Sequence, residues 1–333
     1  MIARGPSSTA PAYATRPRRG LALLAALWLV VMISAAGLQF ATAARERRAL
    51  GVSAADRGRE LAALEGALAE VQARLEGTLR APVRRSARRA SAPRDPWGQL
   101  PERLAPELTI GEVVVGVRSV DLGTVLNVNL AGERELAVLA ESLLRDPVAA
   151  SRVAQAIVDW RDEDDIPRAS GAEAAQYRTA GRAVLPTNGP FRTLDDLDDV
   201  LGITPDIATV IRPYLTIDGM TRRINVNAAP EPVLRNVPGI TEPLLRTVLA
   251  MRSGGRRVET IPALVTAVQG RGQAGESGRL ELVRALEESI TLDTRDIAIE
   301  LTVREPRTVQ PSRLVAVLRR GDDSTATIQG RRW

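Results

Sequence analysis

The sequence predicts an α+β fold, in which an N-terminal apolar helix precedes an antiparallel sheet and a large helical insertion interrupts that sheet. Three observations support this prediction. Residues 21–44 carry no charged side chain. Alternating and β-branched apolar residues, which are typical of strands, occur in residues 108–130 and 289–333. Residues 131–288 instead show the three- and four-residue spacing of helices, so we expect the strands at both ends to share one sheet.

The apolar segment 21–44 is long enough to cross a membrane. Its 24 residues would form a helix of ~36 Å, compared with a hydrocarbon layer of roughly 30 Å. A secretory signal peptide has a shorter apolar core that ends at its cleavage site. Here a candidate cleavage site, Arg19-Gly20-Leu21, comes before the apolar run. We therefore predict a single-pass membrane helix, and an uncleaved signal anchor is the alternative.

Composition limits the chemistry that this chain can perform. The 333 residues include no histidine and no cysteine, which removes imidazole bases, thiol nucleophiles, disulfides and the usual zinc ligands. Since the carboxylates form no recognisable catalytic constellation, we predict that the protein is not an enzyme. Residues 1–103 hold 17 arginines against 8 acidic residues, and residues 104–333 hold 28 against 32. This distribution favours contact with a membrane surface over contact with nucleic acid.

Residues 45–81 are predicted to continue the N-terminal helix with an amphipathic face. The apolar positions recur at steps of three and four, at Leu61, Leu64, Leu68, Val71, Leu75 and Leu79. This face can pack on the protein's own sheet, or against neighbouring helices as in a coiled coil. Residues 82–107, rich in arginine and proline, are predicted to form a linker.

A short repeat lies inside the predicted insertion. The tripeptide Gly-Ile-Thr at 202–204 recurs 37 residues later at 239–241, and each copy has the pattern of a helix-hairpin-helix unit. Such hairpins can offer backbone N–H groups to the phosphates of DNA. Here proline and acidic residues follow each turn, at 205–206 and 242–243. A structural hairpin is therefore preferred, and DNA binding is the alternative.

Several short motifs become specific when they are taken in order. They are DLG at 121–123 with LNVN at 126–129, IVDWRDEDD at 157–165, NGPF at 188–191, INVNAA at 224–229 and PGI at 238–240. Behind a prepilin-type leader, this order resembles the minor pseudopilin K family of type II secretion, also called general secretion pathway protein K. The resemblance covers nearly the whole chain from Gly20 onward.

The resemblance implies a pilin-like fold, in which the N-terminal membrane helix packs on the sheet and the insertion consists of tandem helix-hairpin-helix, or SAM-like, units. It also implies that a prepilin peptidase cleaves after Gly20 and methylates the new terminus at Leu21. The mature protein would be a single-pass protein of the bacterial inner membrane, with its C-terminal domain in the periplasm.

The same resemblance implies a role in protein transport. The protein would lie at the tip of the pseudopilus and support its initiation and protein export across the outer membrane. The implied partners are the I and J minor pseudopilins, the major pseudopilin, the prepilin peptidase and the inner-membrane assembly platform, with no nucleic acid. The alternative function is that of a membrane-anchored helix-hairpin-helix DNA-binding protein, similar to competence proteins.

Ala25 bears on the position of the subunit. Major pseudopilins carry a glutamate at the fifth mature position, where its carboxylate neutralises the N-terminal ammonium of the adjoining subunit. In this chain the fifth position after the predicted cleavage site is Ala25. A subunit without that acid fits best where no subunit lies ahead of it, at the tip. The alternative is that Ala25 is simply an apolar membrane residue.

Five acidic residues lie within the seven positions 159–165, at the predicted C-terminal end of a helix. The helix dipole disfavours negative charge there. Solvent with Arg161 and Arg168 can compensate this charge, or an oxygen-ligated calcium ion can do so. No cofactor is required for the implied role, but calcium is known in the resembled family. The candidate ligands are Asp162, Asp164, Asp165, Asp159 and Glu173.

Overall fold

The computed structural model describes residues 19–80, 95–98, 104–269, 276–306, 312–323 and 325–333. The chain divides into two compact units, residues 1–58 and residues 59–333, which are described separately. Most of the predicted leader, 1–20, and most of the predicted linker, 82–107, lie outside the described residues.

Helix α1 (Arg19–Arg80) begins in the first unit. The described large apolar side chains of that unit are exposed: Leu23, Leu24, Leu27, Trp28, Leu29, Val30, Val31, Met32, Ile33, Leu38 and Phe40. Within the described part of the chain, no helix combines the length and the apolarity that crossing a membrane requires.

The second unit contains the end of α1, short 3₁₀ turns and the remaining helices and strands. In chain order these elements are β1 (Glu107–Ile110), β2 (Val113–Asp121), β3 (Leu126–Asn127), α2 (Glu133–Leu144), α3 (Pro147–Arg161), α4 (Ala174–Thr179), α5 (Pro205–Ile211), β4 (Leu215–Thr216), β5 (Ile224–Asn225), α6 (Glu231–Leu234), α7 (Glu242–Ser253), α8 (Ile261–Gln269), α9 (Glu276–Ser289), β6 (Ile290–Thr291), β7 (Asp296–Val303), β8 (Arg313–Arg320) and β9 (Ala326–Arg332).

The main sheet is antiparallel and has the order β1-β2-β7-β8-β9. Alternate residues of its central strands face the second half of α1. The buried cluster between helix and sheet includes Leu64, Leu68, Val71, Leu75, Ile297, Ile299, Leu301, Leu314, Ala316 and Leu318. Each large apolar side chain that leaves water here contributes about 1.5 to 3 kcal/mol. The amphipathic face of α1 therefore packs on the protein's own sheet, the first of the two predicted arrangements.

The inner ends of the predicted sheet segments differ from the structure. Strand β2 ends at Asp121, whose Oδ1 accepts a hydrogen bond from the N–H of Gly123 at 2.9 Å and caps a 3₁₀ turn. Beyond that turn, β3 pairs in parallel with β4, and β6 pairs in parallel with β5. Residues 126–127 and 290–291, predicted to lie in the main sheet, therefore belong to the helical insertion.

The insertion consists of two modules with matching hydrogen bonds, module A (residues 126–218) and module B (residues 224–293). Each module opens with a short strand that pairs with the strand closing it, β3 with β4 and β5 with β6. In module A, Asn129 Oδ1 accepts a hydrogen bond from the N–H of Phe191 at 2.8 Å, and Asn129 Nδ2 donates one to the C=O of Phe191 at 3.0 Å. In module B, Asn227 Oδ1 accepts a hydrogen bond from the N–H of Val258 at 2.7 Å, and Asn227 Nδ2 donates one to the C=O of Val258 at 2.9 Å.

The Gly-Ile-Thr tripeptides are local turns inside this longer repeat, one in each module. Gly202 and Gly239 have φ values of 97° and 80°, a left-handed conformation that glycine adopts without a steric penalty. The threonine of each tripeptide is the N-cap residue of the next helix, Thr204 for α5 and Thr241 for α7. The short repeat thus marks two similar helix starts, whereas the equivalent residues Asn129 and Asn227 mark the two modules.

Candidate metal centre

The candidate metal centre forms where α3 ends in module A. Trp160, the last residue but one of α3, is buried against Tyr177 and Phe191, with ring centroids 6.0 and 6.1 Å apart. This packing fixes the end of the helix, so Asp159 points inward and is fully buried, while Asp162 is the C-cap residue. The chain then forms a long loop and returns to the same place at Glu173, the N-cap residue of α4.

Arg168 holds the two aspartates of this group. Its Nη1 donates to Asp159 Oδ1 and to Asp162 Oδ2, each at 2.5 Å, and its backbone N–H donates to Asp159 Oδ2 at 3.0 Å. These charge-assisted bonds raise the pKa of Arg168 above its ordinary value, against the effect of burial. Both oxygens of Asp159 therefore already accept a hydrogen bond.

The Glu173 carboxylate is buried without hydrogen-bond partners. Its side chain is 2% exposed, yet neither carboxylate oxygen has a hydrogen-bond partner, and Asp162 Oδ1 is buried without one as well. Burial first, and then the charges of Asp159 and Asp162, raise the pKa of Glu173 to about 7. A buried carboxylate without donors is costly unless a proton or a cation compensates it.

The three carboxylates have the arrangement of a cation site. One oxygen each from Asp159, Asp162 and Glu173 lies within 4.8 Å of the others. Calcium binds oxygens at about 2.3 to 2.6 Å, so oxygens on opposite sides of one ion lie up to about 5 Å apart. The hard oxygen ligands and the partnerless oxygens fit calcium or another hard divalent cation.

Two of the five predicted ligands lie elsewhere. Asp164 Oδ1 accepts a hydrogen bond from the N–H of Ile166 at 2.9 Å, and Asp165 Oδ1 accepts one from Asn188 Nδ2 at 3.1 Å. Both aspartates are exposed and shape the loop, so the structure groups Asp159, Asp162 and Glu173 without them.

Gly171 is a part of this site that the sequence did not reveal. A Cβ atom at this position would lie 2.0 Å from Asp159 Oδ2, closer than any real contact. Only glycine lets the returning loop approach the buried carboxylate so closely. A glycine in a polar loop carries no signal of this role, because the contact depends on the tertiary fold.

The predicted processing residues lie at the start of α1. Gly20 and Leu21 lie within helix α1, and the side chains of Leu21 and Ala25 lie outside the described residues. Their predicted roles therefore stay predictions.

Polar groups at the hairpin turns considered for DNA binding already have partners within the protein. Thr204 Oγ1 accepts a hydrogen bond from the N–H of Ile207 at 3.3 Å at the start of α5. Glu242 at the start of α7 forms ion pairs with Arg235 and Arg246, at 3.2 and 3.6 Å. These groups use the helix N-termini and nearby cations that a phosphate-binding hairpin would offer.

A family model described as type II secretion system, protein K, matches residues 120–218. The resemblance to the protein K family is confirmed. The matched range contains module A and the three grouped carboxylates, and it supports minor pseudopilin function in secretion.

Among solved structures, the chain is similar to a chain in the crystal structure of the GspK-GspI-GspJ complex from the type 2 secretion system of enterotoxigenic Escherichia coli. The TM-score is 0.52 at 13% identity, and the match covers 83% of this chain and 97% of that chain. This likeness shows the shared fold of helices and antiparallel sheet. No curated protein sequence matches the chain.

Proposed function

We propose that this minor pseudopilin acts at the tip of the type II secretion pseudopilus, where it supports pseudopilus initiation and protein export across the outer membrane. The family match over residues 120–218 carries the assignment to secretion. The packing of the α1 face from Leu64 to Leu75 on an antiparallel sheet supports a pilin-like subunit, whose work is assembly and not catalysis.

The I and J minor pseudopilins are the partners we propose first, because the solved structure of similar fold is a complex with GspI and GspJ. The major pseudopilin, the prepilin peptidase and the inner-membrane assembly platform follow from the same role. Co-purification tests the proposal: the chain should form a stable complex with the I and J subunits of its own system. Failure to bind both subunits, while each is folded and the two bind one another, would contradict the tip role.

We also propose that residues 21–44 anchor the mature chain in the inner membrane, with the second unit in the periplasm. The run without charge and the exposed apolar side chains, such as Trp28 at 66% and Phe40 at 77%, support an apolar environment for this segment. Cleavage after Gly20 and methylation of Leu21 belong to the same proposal. The two modules are proposed to be the tandem SAM-like units of the insertion.

Calcium is the cation we propose for the site in module A. Asp159, Asp162 and Glu173 would hold it, and Gly171 leaves room for the Asp159 carboxylate. A bound calcium would neutralise the carboxylates and tie the end of α3 to the start of α4. In this role the ion stabilises a domain by binding only its folded form.

A further inference from the structure

Arg168 occupies the carboxylates that a cation would need. The three grouped carboxylates carry three negative charges when ionised, and the Arg168 guanidinium contacts two of them. Each oxygen of Asp159 accepts one hydrogen bond from Arg168, Oδ1 from the guanidinium and Oδ2 from the backbone N–H, so about half of the lone pairs of this carboxylate are engaged. A divalent cation bound among these carboxylates would share Asp159 and Asp162 with the guanidinium and repel its positive charge, so it weakens this contact.

A second partner for Arg168 lies next to the site. Its Nε is 3.4 Å from Oε2 of Glu133, in the first turn of α2, where the helix dipole favours a negative charge. Glu133 is 44% exposed at its side chain, and its other oxygen accepts a hydrogen bond from Gln155 Nε2 at 3.1 Å. The guanidinium can shift toward Glu133 without leaving the protein surface, because its side chain is itself 32% exposed.

We propose that Arg168 is a displaceable internal counterion: it holds Asp159 and Asp162 when no cation is bound, and a divalent cation displaces it toward Glu133. This inference rests on the calcium site proposed above. Under this inference, Arg168 acts both on the stability of the loop and on the cation affinity of the site. The residue stabilises the cation-free loop, and it lowers the affinity of the site for cations, because a positive charge close to the ion repels it. Occupancy of the site would also strengthen the contact between the loop and α2.

Calorimetric titration of the purified full-length chain with calcium chloride tests the first effect. Arg168→Gln should bind calcium about tenfold more tightly than the parent chain, and its melting temperature without calcium should be lower. Arg178→Gln is the matched control, because Arg178 is exposed on α4 near the same loop and its loss changes the net charge equally. Its calcium affinity should stay close to that of the parent.

Glu133 supplies the second arm of the test. Glu133→Gln should weaken calcium binding several-fold in the parent, because the displaced guanidinium loses its acceptor, and it should have little effect in the Arg168→Gln background. Calcium binding by Arg168→Gln that is equal to or weaker than the parent's would overturn the inference while leaving the calcium site intact. If neither the parent nor Arg168→Gln binds calcium, the site and the inference both fail, and the secretion role is untouched.

Discussion

Arg161 and Arg252 hold equivalent positions in the two modules. Arg161, the last residue of α3, donates from its guanidinium to the carbonyl oxygens of Val128 and Ala131. Arg252, near the end of α7, donates to Ala229 O at 2.5 Å and to Ala228 O at 3.3 Å. Each arginine thus binds the turn that follows the opening strand of its own module. Burial lowers the pKa of both guanidinium groups, which remain charged at any physiological pH.

This relationship predicts that each module depends on its arginine. Arg161→Met and Arg252→Met should each lower the free energy of unfolding by about 1 to 3 kcal/mol, because the backbone carbonyl oxygens lose their charged donors while methionine keeps the apolar bulk of the side chain. Urea unfolding measures the loss. The exposed Arg178→Met serves as control and should change stability little. Equal stability of all three variants would show that the two arginines do not support their modules.

The sequence predicts those parts of the fold that depend on local periodicity. The three- and four-residue spacing from Leu64 to Leu75 identified the buried face of α1, because a helix places such residues on one side. The sequence does not predict the pairing of Leu126–Asn127 with Leu215–Thr216. Two-residue strands have no measurable period, and about ninety intervening residues separate the partners.

The candidate site shows the same limit. The clustering of acidic residues in the sequence predicts Asp159 and Asp162 as ligands, and it equally predicts Asp164 and Asp165. In the structure, Asp164 and Asp165 instead accept hydrogen bonds from the N–H of Ile166 and from Asn188 Nδ2. Adjacent residues point in different directions, so neighbours in the sequence need not share a site. The contacts of Arg168 with both grouped aspartates depend on the return of the loop, which no local pattern encodes.

The calcium proposal predicts a selective gain in stability. Calcium should raise the melting temperature of the full-length chain by mass action, and Asp162→Asn or Glu173→Gln should remove that gain. Asp164→Asn is the matched control: it removes the same charge from the same loop, but Asp164 lies outside the grouped carboxylates. Differential scanning calorimetry of the parent chain and of each variant, with calcium and with chelator, measures this gain. Equal melting of the parent chain in both conditions would leave only a solvated acidic loop.

Asp121 predicts a pH dependence at the junction of sheet and insertion. Burial, with a smaller effect of Asp95, raises the pKa of Asp121 above its ordinary 3.8, although its carboxylate accepts hydrogen bonds from Thr294, Asn225 and the N–H of Gly123. The folded state therefore binds this proton more tightly than the unfolded state does. The stability that this group contributes is fully present below 3.8 and is lost as the pH rises through the folded pKa.

The measurement compares Asp121→Asn with the parent chain by urea unfolding at a series of pH values upward from 3.8. The loss of stability with rising pH should be smaller in the variant, because asparagine does not titrate. Only the difference between the two slopes is diagnostic, since other carboxylates contribute equally to both chains. Parallel curves would contradict a raised pKa for Asp121.

The proposed processing of the leader predicts a defined mature terminus. The basic residues before Gly20 and the uncharged run after it predict cleavage between Gly20 and Leu21. N-terminal mass spectrometry of the protein from membranes should find Leu21 first, with an N-methyl group. Gly20→Trp should block cleavage by its bulk, while Gly37→Trp, a glycine within the apolar run, should not. A terminus at Met1, or near Ala44, would contradict this prediction.

Ala25 predicts that the subunit occurs once in each pseudopilus. A filament grows by heterologous contacts that propagate from subunit to subunit. A subunit without the glutamate at the fifth mature position can be followed by other subunits, but it does not readily add behind an existing subunit. Overproduction should shorten pseudopili, because it creates more initiation sites than the major subunit can extend. In Ala25→Glu the variant should enter the shaft where its carboxylate meets an N-terminal ammonium, since an unpaired buried carboxylate costs on the order of several kcal/mol. Gold labelling of the second unit, residues 59–333, should mark one end of each filament for the parent chain, and label distributed along the shaft would refute the tip position.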